Sequence, residues 1–144
     1  MAENFRTEKR VEFRDTDAAG IAHFSAFFIY MEQAEHAFWR SLGHSVVHED
    51  ADGKISWPRV SAHCDYSTPA RFEEILQIEV SIARLGRKSV TYDFTFSRDQ
   101  LTIARGTMTS VCCRIAIGQP PRSIEIPAEL ARQLQPYVSD PSAA

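Results

Sequence analysis

Two acidic residues and a glycine, Asp15, Asp17 and Gly20, separate an alternating segment from a long apolar one. A carboxylate can act as a nucleophile or take a proton from water. Gly20 would let the loop fold back sharply, because glycine adopts backbone conformations that other residues avoid. If the apolar segment from Phe24 is a helix, its unpaired N-terminal amides and positive dipole end would point toward this loop. Such amides could polarise a carbonyl group that gains negative charge when it is attacked.

Aspartates are also common in turns, where their side chains bind backbone N–H groups. For an isolated Asp-x-Asp pair, this structural interpretation is favoured at about three to one. Between a strand and a helix, we expect the reverse for Asp17, which would carry the chemistry, while Asp15 would hold the loop through backbone bonds. No Ser-His-Asp or Cys-His arrangement is visible at a recognisable spacing, so a carboxylate mechanism is favoured.

Length and composition predict an ordinary globular protein. A chain of 144 residues can bury a core as one domain without disulfide or metal support. With 16 basic and 19 acidic residues, no overall basic excess indicates a nucleic-acid partner. The three cysteines, two of them adjacent at Cys112 and Cys113, form neither a disulfide framework nor a metal-binding spacing. The polar N-terminus and the lack of a membrane-length apolar run predict a soluble, cytoplasmic protein with no membrane partner.

Periodicity predicts the elements that would position the acidic loop. Residues 5–14 alternate like a half-exposed strand, and residues 24–42 carry apolar side chains at the three-and-four spacing of a helix. Ser25 is the expected N-cap of this helix, and Gly43 its C-terminal glycine. Residues 44–56 are polar and irregular. Four further strands follow at about 59–66, 76–82, 90–96 and 101–117, with a short helix at 127–135.

Short connections make the last four strands antiparallel neighbours. The helix is so apolar that a sheet must cover it, which gives an α+β architecture. We expect a single domain over residues 1–138 and a disordered tail at 139–144.

The segment Asp15-Thr16-Asp17-Ala18-Ala19-Gly20-Ile21, within this order of elements, resembles the hotdog-fold acyl-CoA thioesterases. The branch that it resembles most is the 4-hydroxybenzoyl-CoA thioesterase family. The resemblance runs from about residue 11 to residue 127 and is strongest at 13–24, 65–71 and 86–89. It implies a hotdog fold, in which a curved five-stranded antiparallel sheet wraps around one long central helix.

The resemblance also assigns roles at the acidic loop. By analogy with the family, Asp17 is the catalytic carboxylate, and the backbone amide of Phe24 polarises the thioester carbonyl. The implied working unit is a homodimer whose sheets join edge to edge with two sites at the interface, and such dimers often pair into tetramers. No metal or cofactor is implied, because coenzyme A is part of the substrate.

Candidate substrate-binding residues come from the loop and from the strand that follows the irregular segment. Gly20 and His23 would line the site. Trp57 could stack on an aromatic acyl group or simply pack at the start of a strand. Arg59, on the polar face of its strand, could pair with an acidic acyl group or, as the more favoured interpretation, with Glu35.

Two other positions have a functional and a structural interpretation. His63 lies on the polar face of its strand and could reach a pocket across a dimer interface or stay exposed. Arg87 and Lys88 lie in a turn and could hold the phosphates of coenzyme A or form a surface charge cluster.

The sequence therefore favours hydrolysis of an acyl-CoA thioester by Asp17, acting as nucleophile or general base. The acyl group would be aromatic, of the hydroxybenzoyl or dihydroxynaphthoyl kind, or a short to medium aliphatic chain, and carrier-protein thioesters stay open. One alternative is a hotdog dehydratase or hydratase, for which a histidine in the site is only weakly indicated. The other is a non-catalytic acyl-CoA binding or assembly module.

Overall fold

The computed structural model describes residues 2–139, in which one strand and a long helix are followed by eight strands and a short helix. The strands and helices are β1 (Phe5–Arg10), α1 (Ala26–Ser41), β2 (His48–Asp50), β3 (Gly53–Ser56), β4 (Arg59–Tyr66), β5 (Ile75–Leu85), β6 (Ser89–Arg98), β7 (Leu101–Val111), β8 (Cys113–Ile115), β9 (Arg122–Ser123) and α2 (Ala128–Leu134).

The main sheet has five strands in the order β1-β5-β6-β7-β4, and every neighbouring pair is antiparallel. One face of it is apolar because every second residue of β5 and β6 is buried, as at the cross-strand pair Val80 and Phe94. The prediction of an α+β fold with a five-stranded antiparallel sheet is confirmed. Strands β2, β3, β8 and β9 form a smaller second sheet.

Helix α1 packs its apolar stripe, which includes Phe27, Met31 and Phe38, into the same core as the inner face of the main sheet. It has 16 residues and is shorter than the predicted 24–42. Its end agrees with the prediction, since Gly43 follows it with a φ of 86°. Ser25 occupies the N-cap position as predicted, but its side chain makes no capping bond and lies 2.8 Å from His23 Nδ1 instead.

Two segments differ from the predicted elements. Residues 44–56, expected to be irregular, contain the hairpin of β2 and β3. The strand predicted to run to residue 117 is divided at Cys112, whose N–H donates to the Lys88 carbonyl and whose carbonyl accepts from Ile124. These bonds lead the chain out of the main sheet and into the second one.

The two ends of the described chain meet. The Glu3 N–H donates to the Pro136 carbonyl at 2.8 Å, and the Ser139 N–H donates to the Ile82 carbonyl at 2.8 Å. Of the tail predicted to be disordered, Ser139 thus contacts β5, and residues 140–144 lie outside the described residues. Within residues 2–139, no helix has both the length and the apolarity needed to cross a membrane.

A β-bulge at Val60 changes the direction of Arg59. In the pairing with β7, Arg59 lies opposite Ser110 and Ser61 lies opposite Thr109, so Val60 is an extra residue in β4. The prediction that Arg59 shares the polar face of its strand was therefore wrong. Its guanidinium group turns toward α1 and pairs with Glu35, as the structural interpretation expected.

Glu35 is completely buried, although it is acidic. Burial raises its pKa from 4.5 to about 7, and the positive charge of Arg59 only partly opposes this shift. Because the folded protein holds this proton more tightly than the unfolded chain, Glu35 favours the fold at low pH. Its contribution is complete below about pH 4.5 and is lost as the pH rises through 7.

We therefore expect Glu35→Gln to remove a pH-dependent part of the stability. Between pH 5 and pH 8, the free energy of unfolding of the unmodified protein should fall relative to that of the variant by roughly 2–3 kcal/mol. Denaturant unfolding of both proteins at four pH values measures this difference, and taking the difference cancels other groups such as His48. Parallel stability curves for the two proteins would contradict the assignment.

Candidate active site

The loop between β1 and α1 forms a small hairpin. Thr16 and Ala22 make a β-bridge, and the Asp17 N–H donates to the Ile21 carbonyl at 2.8 Å. The Asp17 carbonyl accepts from the Gly20 N–H at 3.0 Å, and Gly20 has a φ of 79°. This left-handed conformation strains other residues, which explains the glycine at the tip of the loop.

The Asp17 carboxylate is held by one of its two oxygens. Its Oδ1 atom accepts from the Ala19 N–H at 2.8 Å, as aspartates often do in turns. Within residues 2–139, the Oδ2 atom has no hydrogen-bond donor. The side chain is half-buried and lines a cavity, so one oxygen fixes the carboxylate and the other is free for chemistry.

Asp15 ties this loop to the start of α1. Its carbonyl accepts from the His23 N–H at 2.7 Å, and its Oδ2 atom accepts from the Glu12 N–H at 2.9 Å and from the Tyr30 hydroxyl at 2.8 Å. Burial, together with the Asp15 carboxylate, raises the pKa of Tyr30, so the phenol stays a donor. These contacts agree with the supporting role predicted for Asp15.

The Phe24 amide stands just ahead of α1. In the described part of the chain, no acceptor is found for the Phe24 N–H, whereas the neighbouring amides of His23 and Ser25 are both bonded. The Phe24 carbonyl accepts from the Tyr66 hydroxyl at 2.8 Å, which holds this peptide against the end of β4. An unpaired amide at the N-terminal end of a helix is a ready donor to a carbonyl oxygen.

Asp17 and Phe24 line the same cavity, which has a volume of about 350 Å³. Its other walls come from the site loop, from α1 and from the segment after β4, which the Ala22 N–H joins through the Ala70 carbonyl at 2.7 Å. The remaining lining residues are Ile21, Ala22, Phe27, Tyr66, Ser67, Thr68, Pro69 and Ala70.

Tyr66 and Phe27 were not among the predicted site residues. Tyr66 belongs to the segment 65–71, which contributes to the family resemblance but indicates no role for the tyrosine. Burial raises the pKa of Tyr66 to about 12, so its hydroxyl is protonated when it donates to Phe24.

The other predicted site residues lie outside the walls of this cavity. The His23 ring stacks on Phe24 at 4.5 Å between centroids and accepts from the Ser25 N–H. Gly20 is at the exposed tip of the loop. Trp57 is buried against Trp39 at 5.4 Å between ring centroids, in another part of the core.

Arg59, His63, Arg87 and Lys88 also lie away from Asp17 in the single chain. Arg59 faces Glu35, and His63 lies on the other face of β4, where its Nε2 atom is 3.1 Å from Asp65 Oδ1. Arg87 pairs with Glu125, and Lys88 is exposed in the turn between β5 and β6. Their binding roles stay predictions.

The model of the thioesterase-like superfamily matches residues 11–134. This chain belongs to that superfamily. The predicted thioesterase family and the hotdog fold are thereby confirmed.

Three relatives each match more than three quarters of the chain. The chain is 27% identical to the 4-hydroxybenzoyl-CoA thioesterase of Pseudomonas sp. strain CBS-3 over 139 residues, covering 90% of this chain and 96% of the relative. It is 27% identical to the 1,4-dihydroxy-2-naphthoyl-CoA hydrolase of Synechococcus elongatus, covering 76% and 81%. Among solved structures, a gentisyl-coenzyme A thioesterase is similar with 30% identity and a TM-score of 0.79, covering 90% of this chain and 99% of the other.

Proposed function

We propose that this protein hydrolyses acyl-CoA thioesters to a carboxylic acid and coenzyme A, with Asp17 as the catalytic carboxylate. The observation that carries the proposal is that Asp17 and the unpaired Phe24 N–H belong to the walls of one cavity. Both groups that the reaction needs come from one short segment of the chain.

The chemistry follows from these two groups. A thioester carbonyl oxygen at the start of α1 would accept from the Phe24 N–H, and the helix dipole would favour the negative charge that develops there. The free oxygen of Asp17 could attack the carbonyl carbon to form an anhydride that water then hydrolyses. Alternatively, it could take a proton from an attacking water molecule. In both routes the coenzyme A thiolate leaves.

An aromatic acyl group fits the site best. Phe24, Phe27 and Tyr66 surround the cavity with rings, which stack favourably on another ring. The three relatives described above are named for hydroxybenzoyl, dihydroxynaphthoyl and gentisyl esters of coenzyme A. Short or medium aliphatic chains would also enter, because an apolar pocket discriminates weakly between hydrocarbon groups.

The central test is Asp17→Asn, assayed by thiol release from benzoyl, hydroxybenzoyl, naphthoyl and aliphatic coenzyme A esters. We expect kcat to fall at least 100-fold on every ester that the unmodified protein cleaves, because the amide can neither attack nor accept a proton. Asp99→Asn, in the turn between β6 and β7, is the matched control and should keep full activity.

A near-normal rate for the Asp17→Asn variant would refute the role of this residue. Saturable binding of the esters by the unmodified protein, with no thiol released from any of them, would support the non-catalytic binding module instead.

The turn between β5 and β6 supports a role in holding the phosphates of coenzyme A. Arg87 and Lys88 in the turn, and Arg84 near the end of β5, are all exposed. Glu125 is the acidic residue that pairs with this turn, and Arg87 lowers the pKa of its carboxyl. Guanidinium and ammonium groups bind phosphate well.

If this turn binds the phosphates, changing Arg87 and Lys88 together to Gln should raise KM for a coenzyme A ester about tenfold. The same acyl group on N-acetylcysteamine, which has no phosphates, should be cleaved with unchanged constants. Arg132→Gln, at an exposed position of α2, serves as the charge control. Equal losses on both kinds of ester would rule out phosphate binding as the cause.

The exposed edge of β4 supports the proposed homodimer. Its eight residues are mostly exposed and include Val60, Ala62 and Tyr66, so its free backbone groups could pair with a second copy. The opposite edge, β1, alternates Arg6, Glu8 and Arg10, and such charges discourage pairing. A dimer through β4 would bring residues of a second copy toward each cavity. The further pairing of two dimers stays a prediction from the family resemblance.

A lysine at the middle of β4 should prevent this pairing, because a twofold axis there would bring two ammonium groups together. We expect Ala62→Lys to be a monomer in light scattering after size exclusion. Glu8→Lys, on β1, should keep the size of the unmodified protein. A monomeric unmodified protein, or a dimer that Ala62→Lys leaves intact, would contradict the proposed interface.

A cytoplasmic location is also part of the proposal. Cys64, Cys112 and Cys113 are free thiols in the structure, and a reducing compartment keeps thiols in that form.

A further inference from the structure

The Tyr66 hydroxyl joins the end of β4 to the segment just before α1. Tyr66 is the last residue of β4, and its hydroxyl donates to the Phe24 carbonyl at 2.8 Å. The side chain is 47% exposed and lines the cavity that Asp17 and Phe24 share. A phenol in such a position could donate to water instead, so this bond adds little to the stability of the fold. Its effect is on the position of Phe24.

The peptide groups on both sides of the Phe24 Cα atom are fixed by hydrogen bonds. The carbonyl of the group between Phe24 and Ser25 accepts from Tyr66, and its N–H donates to His23 Nδ1 at 3.2 Å. In the preceding group, the His23 carbonyl accepts from the Ala26 N–H at 2.9 Å. Because a trans peptide group is planar, with its N–H opposite its carbonyl, this second bond directs the Phe24 N–H away from the helix.

Helix α1 could begin one residue earlier than it does. Ser25 already has helical backbone angles, with a φ of −71° and a ψ of −20°. In a helix that included Ser25, the Phe24 carbonyl would accept from the Phe28 N–H, four residues further along the chain. Within residues 2–139, that N–H donates to the Ser25 carbonyl instead, at 3.2 Å. The Tyr66 hydroxyl thus occupies the carbonyl that an earlier start of the helix would use.

Tyr66 is itself held firmly by the main sheet. It pairs with Ala104 of β7, and the N–H groups of the next two residues both donate to the Ile103 carbonyl, at 2.9 and 3.1 Å. Its ring packs edge-on against buried Phe27, at 5.4 Å between centroids. The position of the hydroxyl is therefore set by the sheet and does not depend on α1 alone.

We propose that Tyr66 is a positioning residue for the thioester hydrolysis proposed above, on which this inference rests. Its hydroxyl holds the Phe24 carbonyl, prevents α1 from starting earlier, and so keeps the Phe24 N–H directed into the cavity. The thioester carbonyl would then meet a donor that needs no reorientation while negative charge develops. Without the hydroxyl, the Phe24 carbonyl is released to the Phe28 N–H, and the Phe24 amide turns away from the substrate.

The first test is Tyr66→Phe, which keeps the ring against Phe27 and removes only the hydroxyl. For the coenzyme A ester of the panel that is cleaved fastest, we expect kcat to fall about tenfold, because a small misplacement of a catalytic group is costly. KM should stay within about twofold of the unmodified value, since the apolar wall is kept. Tyr137→Phe, which removes a phenol packed on Phe38 near the other end of α1, is the matched control and should keep full activity.

The second test measures the polarisation of the substrate carbonyl. Asp17→Asn should bind the same ester without cleaving it, so the infrared band of a ¹³C-labelled thioester carbonyl can be recorded in the site. A bond from the Phe24 N–H should lower the frequency of this band relative to the free ester. Adding Tyr66→Phe to Asp17→Asn should remove most of that lowering, whereas adding Tyr137→Phe should leave it unchanged.

The proposal is overturned if Tyr66→Phe keeps kcat within about twofold of the unmodified value, whether or not KM rises, because Tyr66 would then be only a wall of the cavity. It is also overturned if kcat falls while the carbonyl band stays in place, because Tyr66 would then act on the leaving thiol and not through Phe24. Failure of the proposed hydrolysis would show separately, as an absence of thiol release by the unmodified protein.

Discussion

The whole site depends on how the start of α1 is fixed against the loop before it. Asp15 does this with its backbone and its side chain together, by accepting from the His23 N–H and from the Tyr30 hydroxyl. The first bond sets the peptide just before Phe24, and the second reaches one turn into the helix. Because both partners of Asp15 belong to one rigid segment, the carboxylate of Asp17 and the amide of Phe24 cannot move apart without breaking that attachment.

Local patterns were enough to predict the main elements and the proximity of Asp17 and Phe24. Helix α1 and strands β5 and β6 each bury one face, so apolar residues recur with helical spacing in α1 and at every second position in β5 and β6. These periodicities can be read from the sequence alone. Asp17 and Phe24 lie seven residues apart in the sequence, so the loop between them and the start of the helix determine their relative position in space. The family resemblance then added the roles that a spacing alone does not supply.

Features that depend on distant partners could not be predicted in this way. The bulge at Val60 contains no glycine to mark it, and it turns Arg59 toward Glu35, which belongs to a distant helix. The cavity wall from Tyr66 to Ala70 joins the site through the bond between Ala22 and Ala70, which links residues 48 positions apart. The strand break at Cys112 likewise depends on Lys88 and Ile124.

The bond between Glu3 and Pro136 holds the two ends of the fold next to each other, so the same fold could be built from a chain with a different order of elements. When both ends of a fold lie side by side, a short linker can join them and new ends can be opened elsewhere. The tight turn at Asp99 and Gln100 is exposed and lies far along the sequence from the site loop. A circularly permuted chain that begins there would keep every contact of the site loop, so the arrangement of Asp17 and Phe24 does not require β1 and α1 to be made first.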